Sequence, residues 1–303
     1  MLANPLQFAV VREDPEVECA LVARFGCRRV RLVASGGCTA LTLAGRFPEL
    51  DLTAYDPNPA QIAHLREKLA NRDPRAHNVG DDAPSGLSAR GNFETLWRGF
   101  RDFLRAFVAT REEIDAVCAG GDPGDLVAHP YWPAAFDTFF NDGLQRAMFG
   151  PKATQYARRG SYPGYFRAAL ERGLGRSDRA ANPFLHHILL GAYRMDAPPP
   201  HLRAAPVAPI RLVVGPLEDP GDADLLHLSN ILDWMDPPDV VRLGARLSAG
   251  LRPGAVLTWR QLNNERELAP LFPGIEFDDA LGNALCAEDR SLFYSRIRVG
   301  VRR

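Results

Sequence analysis

A chain of 303 residues, 46% of them hydrophobic, is long enough for one large domain or two and apolar enough for a substantial core. Its 36 basic and 37 acidic residues leave a formal net charge of -1, which removes the electrostatic argument for nucleic acid or an anionic membrane surface. Cys19, Cys27, Cys38, Cys118 and Cys286 are scattered without a CxxC pair, no basic-then-apolar leader opens the chain, and no apolar run nears the ~20 residues of a membrane span; a soluble, cytoplasmic protein is expected.

The first predicted element is a helix starting at Asp14-Pro15-Glu16, with Val17, Leu21, Val22 and Phe25 at helical spacing, expected to lie over a nucleotide site. Val30 to Ala34 then reads as a buried parallel strand, Ser35-Gly36-Gly37-Cys38 as a turn, and Thr39 to Arg46 as a short helix. A second strand runs from Leu50 to Asp56, and a helix from Pro59 to Asn71 follows. A carboxylate ending the second strand is where a ribose is held when a glycine turn cradles the rest of a nucleotide.

A doubly wound sheet would deliver its third strand within roughly 20 to 30 residues, yet residues 72–205 carry helical patterns instead. Phe93, Leu96, Trp97, Phe100, Phe103, Leu104 and Phe107 recur at helical spacing, as do the apolar residues of Tyr162 to Leu170. Strand-like patterning returns at Pro209 to Val214, followed by Asp224 to Asn230, a helix from Pro238 to Leu251, a strand from Ala255 to Arg260, and a closing edge or penultimate strand within Ser291 to Val299. The expected organisation is a first half-domain at 1–71, a helical insertion capping the ligand edge at 72–205, and a second half-domain at 206–303. The fold class is α/β, Rossmann-like, with the insertion between the second and third strands.

With the glycine turn, the ribose acid, the third-strand acid and the Leu251-Arg252-Pro253-Gly254 strand entry in order, the chain resembles a Rossmann-like S-adenosylmethionine-dependent enzyme. A nicotinamide site is disfavoured by the missing G-x-G-x-x-G and by the insertion. More narrowly, SGGCTALTLA, YDPNPAQIAHLREKLA, NPFLHHILLGAY, HLSNILDWM and DRSLFYSRIRV follow one another as in the betaine-lipid synthesis family of S-adenosylmethionine:diacylglycerol 3-amino-3-carboxypropyltransferases, which they resemble over most of the chain from residue 31. Alignment with the general methyltransferase motif puts Ala34 where an acid commonly sits, Cys38 at the second glycine and Ala40 at the third. The carboxylate usually found near the methionine amine is therefore missing, and the amino acid arm is expected to be held differently. The family also implies that this arm, rather than the methyl, is the transferred group.

Each candidate site residue carries two readings. Backbone N–H groups of Ser35, Gly36, Gly37 and Cys38 face the cofactor or simply turn the chain. Asp56 holds the ribose or is a solvated strand-end acid; Asn58 supports the ribose or caps the next helix. Glu218 and Asp219 are candidates for the adenine amine, and Asp219 is preferred. Ser229 and Asn230 stand where substrate-orienting residues fall in this fold, with Asp233 and Trp234 in the same turn. Arg260 is expected to close its strand facing the ligand edge and to clamp the substrate carboxylate. Tyr156, Tyr162, Tyr165, Asn182 and His186 are candidates from the insertion for closing the site, with core packing as the alternative for the tyrosines. Asn230, Tyr165, Tyr156 and Asp233 are the expected catalytic residues. His186-His187 lacks metal-ligand spacing, and no metal is expected.

The expected chemistry is attack on the γ-carbon of the 3-amino-3-carboxypropyl arm of S-adenosylmethionine, as substrate, with release of methylthioadenosine. Three acceptors are open: the substrate's own amine, closing a ring to azetidine-2-carboxylate; a small molecule; or diacylglycerol. The compact chain favours the first two. A conventional methyltransferase and a non-catalytic binding protein are the readings from other classes. A small-molecule substrate is the expected partner, with no nucleic acid and no integral membrane contact, while peripheral lipid contact stays open.

Overall fold

The computed structural model describes residues 5–203 and 206–303. Seven strands form one mixed sheet: β1 (Arg29–Val33), β2 (Asp51–Asp56), β3 (Ile210–Val214), β4 (Leu225–His227), β5 (Val256–Gln261), β6 (Ile275–Phe277) and β7 (Arg296–Arg302). Their spatial order is β3-β2-β1-β4-β5-β7-β6, parallel except for β7, which runs antiparallel to both of its neighbours. The chain thus winds outward from β1 to β3 and then returns to β4 on the other side of β1. That reversal opens a crevice at the carboxyl ends of β1 and β4, the usual ligand position in open α/β sheets. The architecture is an α/β fold of Rossmann-like kind. The closing strand is penultimate, and the short β6 at the edge was not expected.

Helices α1 (Glu16–Phe25), α2 (Cys38–Arg46) and α3 (Pro59–Ala70) accompany the first two strands. Between α3 and β3 come α4 (Asn92–Phe107), α5 (Arg111–Cys118), α6 (Gly124–Ala128), α7 (Tyr131–Phe139), α8 (Asp142–Phe149), α9 (Tyr162–Gly175), α10 (Pro183–Leu190) and α11 (Pro200–Arg203), with no strand among the described residues. The expected boundary at residue 205 lies outside the described residues. The second half of the sheet carries α12 (Pro237–Gly250) and α13 (Asp279–Glu288).

Strand alternation sorts the core into layers. Leu225 and Val256 face α1, α2 and α13, whereas Leu226, Leu257 and Trp259 face α12. A third cluster belongs to the helices between α3 and β3, where Trp97, Phe100, Trp132, Phe136, Phe140 and Phe166 interlock. Large aromatic side chains packed edge-to-face bury enough surface to give that segment a core of its own. The aromatic stripe of α4 is therefore mostly interior, and only Phe107 at its end is 54% exposed.

Residues 5–14 have no helix or strand, yet they are fixed in place. Gln61, His64 and Lys68, spaced along one face of α3, bond this strap through its backbone. Gln61 accepts from the N–H groups of Gln7 and Phe8 and donates to Phe8 O; His64 and Lys68 bond Ala9 O at 2.8 and 2.5 Å. From α4, Glu94 accepts the Ala9 N–H at 2.7 Å. Side chains thereby supply the partners that a sheet neighbour would otherwise provide.

Candidate functional site

The crevice holds two hollows that share the turn leaving β4. One opens at the carboxyl ends of β1 and β4, largely apolar with a few convergent polar groups, as small-molecule sites are. Ser35 at the end of β1 and Ser229, Asn230, Asp233 and Trp234 after β4 form its floor; the strap and the helices of the capping segment form its walls. Phe8, Val10, Phe93, Phe149, Phe166 and Phe293 make most of that wall apolar. The second hollow lies toward β2 and β3, where Tyr55, Pro57, Leu217, Glu218, Ile231 and Met235 line it.

Both floor serines take a left-handed backbone, with φ 46° at Ser35 and 55° at Ser229. Such a conformation costs a non-glycine residue of order 1–3 kcal/mol and tends to be kept where a site needs it. At Ser229 it turns the hydroxyl onto Glu13, which accepts its hydrogen bond.

Asp233 is held by the Leu262 N–H and the Asn264 side-chain amide, both at 2.8 Å. Burial pushes its carboxyl up to about 6, although those bonds, Arg266 and Asn230 work in the opposite direction. A carboxyl that titrates near neutrality on a cavity wall is suited to accept a proton. Tyr156 also lines the hollow, but its hydroxyl donates to Met235 O at 2.9 Å and its ring lies 3.8 Å beneath the Arg266 guanidinium.

Several predicted residues stand elsewhere, each for a physical reason. Gly36 does not open toward the hollow: a Cβ there would meet the Val10 backbone at 2.5 Å, so the glycine admits the strap. Gly37 has φ 79° and packs on Leu65, and Cys38 is buried 3.4 Å from the Lys68 ammonium. Of the predicted turn, Ser35 alone reaches this cavity. Asn58 caps α3 by accepting the Ala60 N–H. Asp56 accepts the N–H groups of Ser35 and Asn58 at 3.1 and 2.9 Å and lines neither hollow, although its neighbours Tyr55 and Pro57 line the second. Asp219 is exposed and closes its own turn on Gly221, while Glu218 lines the second hollow and pairs with Arg246.

Arg260 differs most from expectation. In β5 it shares a face with Val256 and Thr258, so it points at α1, where it is fully buried. There it bonds Glu18 at 2.6 Å and approaches Glu13 and Asp289 at 3.3 and 3.6 Å. From the capping helices, Tyr162 lines the hollow, whereas Tyr165 donates to Phe293 O and burial pushes its phenol up to about 12. Asn182 caps α10, and His186 bonds the carbonyls of Cys118 and Arg179.

Arg12, Glu13, Asn264 and Tyr294 line the cavity without having been anticipated. Arg12 and Glu13 immediately precede the helix start at Asp14-Pro15, but an irregular segment carries no periodicity that would reveal where its side chains go. Burial alone would raise the Glu13 carboxyl, yet Arg260 and His227 bring it down to about 2. Among the described residues, no group of three or more His, Cys, Asp or Glu side chains is gathered as a metal would require, and no helix is long and apolar enough to cross a membrane. Neither a protein-family model nor a curated protein matches this chain.

Proposed function

We propose that the chain is an S-adenosylmethionine-dependent enzyme that breaks the bond between the sulfonium and the γ-carbon of the 3-amino-3-carboxypropyl arm. Adenosine would occupy the hollow at the ends of β2 and β3, and the arm would enter the capped hollow beside Ser229 and Asn230. Tyr55 and Pro57, on either side of Asp56, border the adenosine hollow and would face the ribose. The observation that carries the reading is the largely apolar, helix-capped hollow at the carboxyl ends of β1 and β4, with an acid titrating near neutrality on its wall. Positive charge disperses as the sulfonium is displaced, so a dry surround favours the step.

The arm would pass to its own amine, giving azetidine-2-carboxylate, or to a small acceptor. In ring closure the amine, once neutral, forms the N–C bond and the S–C pair returns to sulfur, releasing methylthioadenosine. Asp233 would receive the proton. A second reading, transfer to the hydroxyl of diacylglycerol, is favoured by the phenylalanine-rich wall. Purified protein incubated with S-adenosylmethionine alone, and then with diacylglycerol or small nucleophiles, tests these readings by mass spectrometry. Methylthioadenosine is expected; S-adenosylhomocysteine as the sole nucleoside product would overturn γ-carbon chemistry.

A further inference from the structure

We propose that Arg12 and Glu13, neighbours in the amino-terminal strap, form a clamp for the two charged ends of an α-amino acid, the guanidinium taking the carboxylate and the carboxylate taking the ammonium. The clamp rests on the S-adenosylmethionine reading and assigns the part of that ligand which these residues would recognise.

Both side chains border the capped hollow and are almost entirely buried, with exposures of 5% for Arg12 and 1% for Glu13. Arg12 Nε has no hydrogen-bond partner, and the terminal nitrogen Nη2 makes only a 3.5 Å ion pair with Glu94 Oε1. Idle N–H donors on a buried guanidinium cost free energy, and their planar fork matches a carboxylate. Glu13 Oε1 receives the Ser229 hydroxyl and, at 3.3 Å, the Tyr294 hydroxyl. Its Oε2 faces His227 at 3.1 Å and Arg260 at 3.3 Å, and both favour its ionised form. The cavity wall therefore presents, from consecutive residues, an under-used cation donor in Arg12 and an ionised carboxylate in Glu13.

The pair also meets a need visible in the sequence. Ala34 leaves the exit of β1 without an acid for the ligand amine, and Arg260 is committed to Glu18. Glu13 reaches the same floor from the strap, through Ser229. A grip on the ammonium would restrain ring closure, because a protonated amine has no lone pair to offer. External small acceptors are then favoured until the amine loses its proton.

Binding of three nucleosides tests the clamp by calorimetry: S-adenosylmethionine, its decarboxylated analogue, and methylthioadenosine, which lacks the arm. Wild-type protein is expected to bind S-adenosylmethionine at least about tenfold more tightly than the decarboxylated analogue. R12M should abolish that preference, E13Q should weaken both charged ligands at least about tenfold, and methylthioadenosine should bind all three proteins alike. Equal losses for methylthioadenosine, or undiminished S-adenosylmethionine binding by both variants, would overturn the clamp. Should a variant fail to fold, equal wild-type affinities for S-adenosylmethionine and its decarboxylated analogue would still overturn it. Wild-type protein that binds no nucleoside overturns the functional reading together with the clamp; nucleoside binding without dependence on the arm overturns the clamp alone.

Discussion

Asp233 is the residue whose environment most directly implies chemistry. Burial raises its carboxyl to about 6, so it is mostly ionised at neutral pH and retains enough basicity to accept a proton. The rate of methylthioadenosine release is expected to rise with pH through an apparent value near 6. D233N should remove that limb and slow release by roughly 10² to 10⁴; an unchanged pH profile in the variant would exclude Asp233 as the acceptor. Ser35 poses a different question, since its φ of 46° is a glycine conformation held by a residue with a Cβ. S35G is expected to leave stability unchanged or raise it by up to about 1 kcal/mol, because relief of strain offsets the added chain entropy. S35V should destabilise by about 2 kcal/mol, and urea unfolding of the two variants reads the difference.

The strap matters at the scale of elements because it carries Arg12 and Glu13 yet has no regular structure to hold them. Its seat is the space that Gly36 leaves open over the first turn. In G36A the new methyl would meet the Val10 backbone at 2.5 Å, and a backbone has little room to yield. We expect a loss of about 1–3 kcal/mol and, in the folded variant, weaker binding of S-adenosylmethionine by calorimetry. Retained affinity would mean that the strap's position is immaterial to the site. The strands and helices of the sheet halves were largely legible in chain order because apolar runs, Gly turns and Pro-led helices each act within a few residues. The strap was not, because its backbone partners are the side chains of Gln61, His64, Lys68 and Glu94, more than fifty residues away. β6 has three residues, too few for an alternating pattern to stand out. Arg260 was misread because the facing acids, Glu13 and Glu18, lie more than two hundred residues earlier, and sequence spacing gives no sign of that meeting.

Across the whole molecule, the sheet, α1, the strap and the end of α13 converge on one buried set of charges. Arg260 is enclosed by Glu18, Glu13 and Asp289, and His227 lies between Glu13 and Glu18 at 3.1 and 3.3 Å. Its acids respond oppositely to pH. Glu13, lowered to about 2, contributes stability that is present above its unfolded value near 4.3 and is lost as pH falls toward 2. Asp289 and Asp233 are each raised to about 6, first of all by burial. Their contribution is full below an unfolded value near 3.9 and disappears as pH rises through 6. Buried His64, His77, His186, His187 and His201 are kept neutral, first of all by burial, and act in the opposite sense: their contribution is present above an unfolded value near 6.5 and is lost as pH falls. The acid Asp289 is isolated by comparing thermal midpoints of wild-type protein and D289N: the difference is expected to shift in favour of D289N as pH rises from about 4 to about 7, because Asp289 must ionise there and the amide cannot. A difference between the two proteins that does not change with pH would show that Asp289 ionises at an ordinary value.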